Sequence, residues 1–165
     1  MKISLIISFY KRLDFLELIL MSLQRQQYKN FEVVIAEDDN SPETKNFLKK
    51  ISANFFFKIV HVFQKSDDGF RKNEMLNKAI SVAHGEFIII IDGDCILHRA
   101  FFKEYAKNAE DKTILFGRRA LLSESITKKL LASKRLQQLN LLNLILSGSS
   151  RVGECYAPNF AESFS

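Results

Sequence analysis

Two carboxylates with one glycine between them, Asp92-Gly93-Asp94, follow directly on the apolar run Phe87-Ile88-Ile89-Ile90-Ile91. Like charges this close repel, and loss of water raises their pKa values. Such a pair therefore calls for a cation, a basic side chain or ample solvent. A divalent metal ion carrying a phosphate-bearing substrate meets that demand, because such ions take carboxylate and phosphate oxygens together. A solvated turn after a strand meets it too, since Asp and Gly are common turn residues. Taken alone, the pair leaves both readings open.

Three other groups carry chemistry. In Ser8-Phe9-Tyr10-Lys11-Arg12 a tyrosine can stack on a base and a serine hydroxyl can hydrogen-bond one, although the same residues suit an ordinary loop. Glu37-Asp38-Asp39 places three acids after an apolar strand, where a carboxylate can accept the imide hydrogen of a uracil ring. The following Asn40-Ser41-Pro42 also reads as a turn and helix cap. Phe70-Arg71 opens a helix, so Arg71 would add a permanent charge to a natural anion site suited to a pyrophosphate. His61 and His84 read as loop or surface imidazoles, and His98 lies within reach of a metal at Asp94. Cys95 reads as a small buried side chain beside the site. There is neither a P-loop nor a Gly-x-Gly-x-x-Gly fingerprint.

The elements that must position these groups alternate. Strands are expected over Ile3 to Phe9, Phe31 to Ala36, Lys58 to Phe63, Phe87 to Ile91 and Thr113 to Phe116. The Phe87 strand, apolar throughout, is expected to be buried on both faces at the centre of a parallel sheet. Helices are expected after Asp14 and Glu17, read as a capping pair, and from Pro42 to about Lys50. A third runs from about Arg71 to Ala83, with Met75, Leu76, Ala79 and Ile80 inward and His84-Gly85 as a glycine cap. A fourth carries Phe101, Phe102, Tyr105 and Ala109, and Ser123 to Leu146 reads as one long helical stretch. Strand and helix in alternation indicate an α/β fold with a mainly parallel sheet, whose ligands bind at the carboxyl ends of the strands.

Composition narrows the class. With 165 residues, 47% of them hydrophobic, the chain suits one globular domain with its own core. A net charge of +5 fits anionic substrates or an anionic membrane surface and does not point to nucleic acid. Cys95 and Cys155 have no metal-site spacing and make no disulfide framework. No run reaches the roughly 18–20 apolar residues that cross a bilayer. A cytoplasmic protein, peripheral to the inner membrane face at most, is the expectation.

In order and spacing these motifs resemble the family 2 glycosyltransferases, inverting enzymes with the glycosyltransferase-A fold. The resemblance is carried by Ile3 through Tyr10, Phe31 through Ser41, Phe70 through Ile80 and Gly85 through Asp94. It implies a Rossmann-like three-layer α/β/α domain over 1–165, with nucleotide-sugar binding in 1–117 and a helical, acceptor-side or membrane-side part in 118–165. It further implies a UDP-sugar donor, a glycan or lipid-linked acceptor in bacterial lipopolysaccharide or capsule synthesis, and Mn²⁺ or Mg²⁺. Ser8 and Tyr10 would flank the nucleoside, Asp38 or Asp39 would read the uracil, and Arg71 would bind near the diphosphate. Asp92 would touch the ribose or a metal-bound water, and Asp94 would hold the metal.

Inverting transfer also needs a general base. The family's Glu-Asp pair is not found after Ala157-Pro158-Asn159, which leaves Glu154 and Glu162 as candidates. The chain is accordingly expected to be short at its carboxyl end. A donor-binding fragment without transfer activity is the first alternative, and a nucleotidyltransferase the second. The basic, leucine-rich 123–146 stretch is expected to be a membrane contact, a core helix or a dimer helix.

Overall fold

The computed structural model describes residues 1–66 and 68–153. Strands β1 (Ile3–Phe9), β2 (Phe31–Glu37), β3 (Ile59–Phe63) and β4 (Phe87–Asp92) form an all-parallel sheet in the order β3-β2-β1-β4. Helices α1 (Leu13–Gln24), α2 (Pro42–Ile51) and α3 (Lys72–Val82) connect them. After β4 the chain continues with α4 (Phe101–Asn108), α5 (Glu124–Ser133) and α6 (Leu141–Leu146). The chain divides into two compact units between Lys103 and Glu104, with the sheet in the first.

The strand order follows from connection handedness. Steps from β1 to β2 to β3 run one way, and the step from β3 to β4 runs back. Right-handed crossovers therefore put α1 and α2 on one face and α3 on the other. Met75 and Ala79 of α3 indeed pack with Ile6, Val34, Ala36 and Val62, all on one face of the sheet. The opposite face presents Leu5, Ile7, Val33 and Ile35, all fully buried. On α1, Leu16, Ile19, Leu20 and Leu23 recur at helical spacing and are fully buried too. Each such side chain contributes roughly 1.5–3 kcal/mol by leaving water. The aromatic run before β3 seals the amino end of the sheet: Phe31 meets Phe57 and Phe102 at 5.1 and 4.5 Å between ring centroids.

Several expectations are corrected. β4 is an edge strand, not a central one, and Ile88 and Ile90 are 38% and 49% exposed. The cause is that α3 packs on β1, β2 and β3, so the same face of β4 lies beyond it. Ile80 of α3 is also exposed. Helix α1 has Arg12 at its N-cap without a side-chain cap, and Asp14 in the first turn accepts from the Arg12 guanidinium instead. α3 ends in an extended Ala83, not a glycine cap. Gly85 is required for another reason: a Cβ there would stand 2.4 Å from Ser4 N.

In the second unit, residues 113–116 form no strand. The extended pairing found there among the described residues is the isolated antiparallel bridge of Leu121 with Ser150. The 123–146 stretch is not one helix. α5 stops where Lys134 turns left-handed (φ 55°) and donates to Leu130 O, and Ser133 Oγ draws the Arg135 amide. A new helix then starts under the Asn140 side chain, which accepts from Asn143 N.

Candidate active site

The order β3-β2-β1-β4 reverses direction between β1 and β4, and in open parallel sheets that reversal opens a ligand crevice at the strands' carboxyl ends. Ser8 and Asp92 are direct neighbours there, paired in register across β1 and β4. Gly93 explains why the two acids are separated by glycine. A Cβ at that position would lie 2.7 Å from the Ser8 carbonyl oxygen, so only glycine lets the turn close against β1. Asp92 and Asp94 are both exposed. Lys72 Nζ sits 2.7 Å from Asp92 Oδ1, and the Cys95 thiol lies 3.6 Å from Asp94 Oδ1. Arg12 edges the same turn. Its guanidinium is held above its ordinary pKa, first by the hydrogen bonds to Asp14 and then by the fields of Asp14 and Asp94.

The three acids after β2 have three different environments. Glu37 is wholly buried: Oε2 lies 2.8 Å from His61 Nε2, and Oε1 has no hydrogen-bond partner among the described residues. Asp38, 5% exposed, accepts from Arg71 N at 2.9 Å and from Gln64 Nε2 at 2.6 Å. Its carboxylate thereby caps the start of α3 from a neighbouring strand, where negative charge complements the helix dipole. Asp39, 7% exposed, accepts from Asn40 N at 2.7 Å and faces Lys11 Nζ at 3.6 Å. Ser41 caps α2 as expected, accepting from Glu43 N and Thr44 N.

Tyr10 is half-exposed, with the Lys11 ammonium 4.6 Å from its ring centroid. Arg71 is the N-cap of α3, and its guanidinium lies 3.6 Å from Glu74 in a shallow depression lined by Phe70 to Glu74. The strand ends thus gather Ser8, Tyr10, Asp38, Asp39, Arg71, Asp92 and Asp94 in one unit. His98 Nδ1 accepts from Ala100 N just before α4. His61 is a strand residue paired with Glu37, not a loop imidazole. Glu154 and Glu162 lie outside the described residues. The sequence did not reveal the pairing of Glu37 with His61, nor Gln64 and Lys72, because the partners are distant along the chain.

Asp92 and Asp94 offer hard oxygen donors on an exposed turn, which suits Mg²⁺ or Mn²⁺. Among the described residues no group of three or more His, Cys, Asp and Glu side chains stands together to hold an ion alone. An ion held by these two carboxylates would need other oxygens, such as those of a phosphate and of water, to complete its coordination.

A sequence model of Glycosyl transferase family 2 matches residues 4–157. The chain belongs to this family. Among its relatives, the GalNAc(5)-diNAcBac-PP-undecaprenol beta-1,3-glucosyltransferase of Campylobacter jejuni is 26% identical over 148 residues, 83% of this chain and 44% of that protein. The putative glycosyltransferase EpsH of Bacillus subtilis is 29% identical over 68% of this chain and 32% of its own length. The chain thus spans 32% to 44% of the length of these family relatives. Among solved structures, S. aureus TarS 1-349 matches 65% of this chain and 32% of its own, at TM-score 0.55 and 26% identity. A mannosyltransferase from Pyrobaculum calidifontis shares the fold at TM-score 0.60 and 21% identity, over 73% of this chain and 34% of its own. The α/β architecture with a parallel sheet is shared with these solved structures.

Proposed function

We propose that this chain binds a UDP-sugar at the carboxyl ends of β1, β2 and β4 and transfers the sugar, with inversion, to a glycan or lipid-linked acceptor. The acceptor would belong to bacterial surface polysaccharide or lipopolysaccharide synthesis on the cytoplasmic side of the inner membrane. The observation that supports the proposal is that the carboxyl ends of β1, β2 and β4, with Ser8, the acids after β2 and Asp92, are adjacent in one parallel sheet whose order reverses at β1. The relatives' names support the donor and acceptor classes. One is a UDP-Glc:alpha-D-GlcNAc-diphosphoundecaprenol beta-1,3-glucosyltransferase of Escherichia coli, and TarS has been crystallised with UDP.

Each residue has a task in this reading. Tyr10 stacks on the uracil and Ser8 lines the nucleoside. Asp39 accepts the imide hydrogen through the oxygen that faces the exposed Lys11 at 3.6 Å, whereas both Asp38 oxygens accept from Arg71 N and one of them from Gln64 as well. Arg71, at a helix start, pairs with the diphosphate. Asp94, with Asp92, would hold a divalent ion, which supplies charge neutralisation for the departing nucleoside diphosphate.

A second surface supports the membrane side of the proposal. In α6, Leu142, Ile145 and Leu146 are exposed, and Lys128 and Lys129 of α5 and Lys134 and Arg135 lie close by in sequence. An apolar helix face with basic neighbours suits an anionic lipid surface. No helix among the described residues is long and apolar enough to cross a membrane.

Calorimetry with UDP, GDP and UDP-sugars, in Mn²⁺ and in EDTA, tests the donor assignment. Transfer to undecaprenyl-diphosphate-linked acceptors, assayed beside UDP-sugar hydrolysis, separates an enzyme from a donor-binding unit. Equal binding of GDP and UDP would overturn the uracil-reading role of Asp39.

A further inference from the structure

The start of α3 is tied down at two points on opposite sides of β1. Arg71 N donates to both Asp38 oxygens, at 2.9 and 3.1 Å, beyond the end of β2. One residue later, Lys72 Nζ donates to Asp92 Oδ1 at 2.7 Å, at the end of β4. β2 and β4 are both hydrogen-bonded to β1 and are therefore two strand spacings apart, about 10 Å. The helix start is thus anchored at the end of β2 and reaches the end of β4 through the Lys72 side chain. Lys72 is 35% exposed and Asp92 50% exposed, so water and ions reach the pair.

That placement puts an ammonium and a divalent ion in competition for one carboxylate. A cation that approaches Asp92 Oδ1 meets the Lys72 ammonium 2.7 Å from that oxygen and is repelled by it, and an ammonium that gives way stays on the helix that also carries Arg71, beside the depression lined by Phe70 to Glu74. We propose that Lys72 holds Asp92 until a divalent cation takes the carboxylate, and then turns to the diphosphate of the bound donor. Lys72 is a positioning residue in the donor-free protein and a phosphate-binding residue in the complex. The displaced charge offsets part of the cost of displacing it, so ion and nucleotide bind better together than either does alone. The inference rests on the reading of Asp92 and Asp94 as the metal end of the site.

Wild type, Lys72→Met and Lys72→Arg are titrated with MnCl₂ alone, followed by the free-ion spectrum, and with UDP in saturating Mn²⁺ by calorimetry. Lys72→Met is expected to bind Mn²⁺ alone about three- to fivefold more tightly, the scale of one exposed ion pair. It is expected to bind UDP in Mn²⁺ about three- to tenfold more weakly, with Lys72→Arg recovering most of that loss. A lysine that only steadied the helix would shift both affinities in the same direction or neither. Mn²⁺ affinity unchanged or weakened in Lys72→Met, or no detectable Mn²⁺ on either protein at millimolar concentration, would overturn the inference. If wild type binds UDP equally in Mn²⁺ and EDTA, the metal reading itself fails. Metal-dependent UDP binding that Lys72→Met leaves untouched sinks only the role of Lys72.

Discussion

The register that brings Asp92 beside Ser8 is held from the other end of the sheet by one buried carboxylate, Glu32. Its Oε1 accepts from Ser4 Oγ at 2.8 Å and His84 N at 2.6 Å, and its Oε2 accepts from Lys2 Nζ at 2.7 Å. Ser4 Oγ in turn accepts from Gly85 N at 2.8 Å, so β1, β2 and the segment entering β4 are joined at one point. Burial pushes the Glu32 pKa up, but Lys2, the His84 amide and the Ser4 hydroxyl outweigh it and bring the value from 4.5 down to about 2. At about 1.4 kcal/mol per pH unit, that displacement corresponds to about 3 kcal/mol. Lys2 is over a third exposed, and solvent screening of its share lowers the expectation to about 2–3 kcal/mol.

The pH dependence has a definite sign. A carboxylate with a depressed folded-state pKa stabilises above its unfolded value and loses that stabilisation as pH falls through the folded one. Glu32→Gln keeps the shape and removes the charge. Urea unfolding of both proteins should differ by about 2–3 kcal/mol above pH 5, with less than about half of this left at pH 3 and almost none near pH 2. Taking the difference cancels the other carboxylates. A stability difference that stays constant from pH 7 to pH 3, or one below about 0.5 kcal/mol at pH 7, would refute the latch.

Three further outcomes are expected. Asp94→Ala should remove the Mn²⁺ dependence of UDP binding, leaving at most the weak affinity measured in EDTA; preserved dependence would displace the metal from this turn. Gly93→Ala puts a methyl group 2.7 Å from the Ser8 carbonyl oxygen, so the turn must move off β1. UDP binding in Mn²⁺ should fall at least tenfold, about 1.4 kcal/mol, while the far-UV circular dichroism stays that of the wild type. Replacing Lys128, Lys129, Lys134 and Arg135 by Ser should weaken binding to anionic liposomes and leave UDP binding intact; liposome binding that does not change would remove the membrane surface.

The local alphabet of this fold was legible, and its neighbour relations were not. β1, β2 and β3 and helices α2 and α3 fall within a residue or two of where periodicity and turn residues put them. Local pattern misled where the environment is set from elsewhere. Five apolar residues in a row look the same in a central strand and in β4, and only the strand order puts Ile88 and Ile90 beyond α3. The 123–146 stretch has helical spacing, yet Ser133 and Asn140 redirect the backbone at two places. Asp14 looked like a cap, and Arg12 two residues away claimed it first.

The sequence by itself determined an α/β sheet protein, the family to which it belongs, and the acids that stand at the ends of its strands. Those properties reside in short segments, where side-chain period and turn chemistry act over a few residues. The tertiary structure decided what each acid is for. Glu37, Asp38 and Asp39 are consecutive in sequence, yet one is buried on His61, one caps α3 and one faces Lys11. Asp92 meets Lys72 across 20 residues of chain. A carboxylate's role depends on which donors surround it and how much water it keeps, and both are set by segments that only folding brings together.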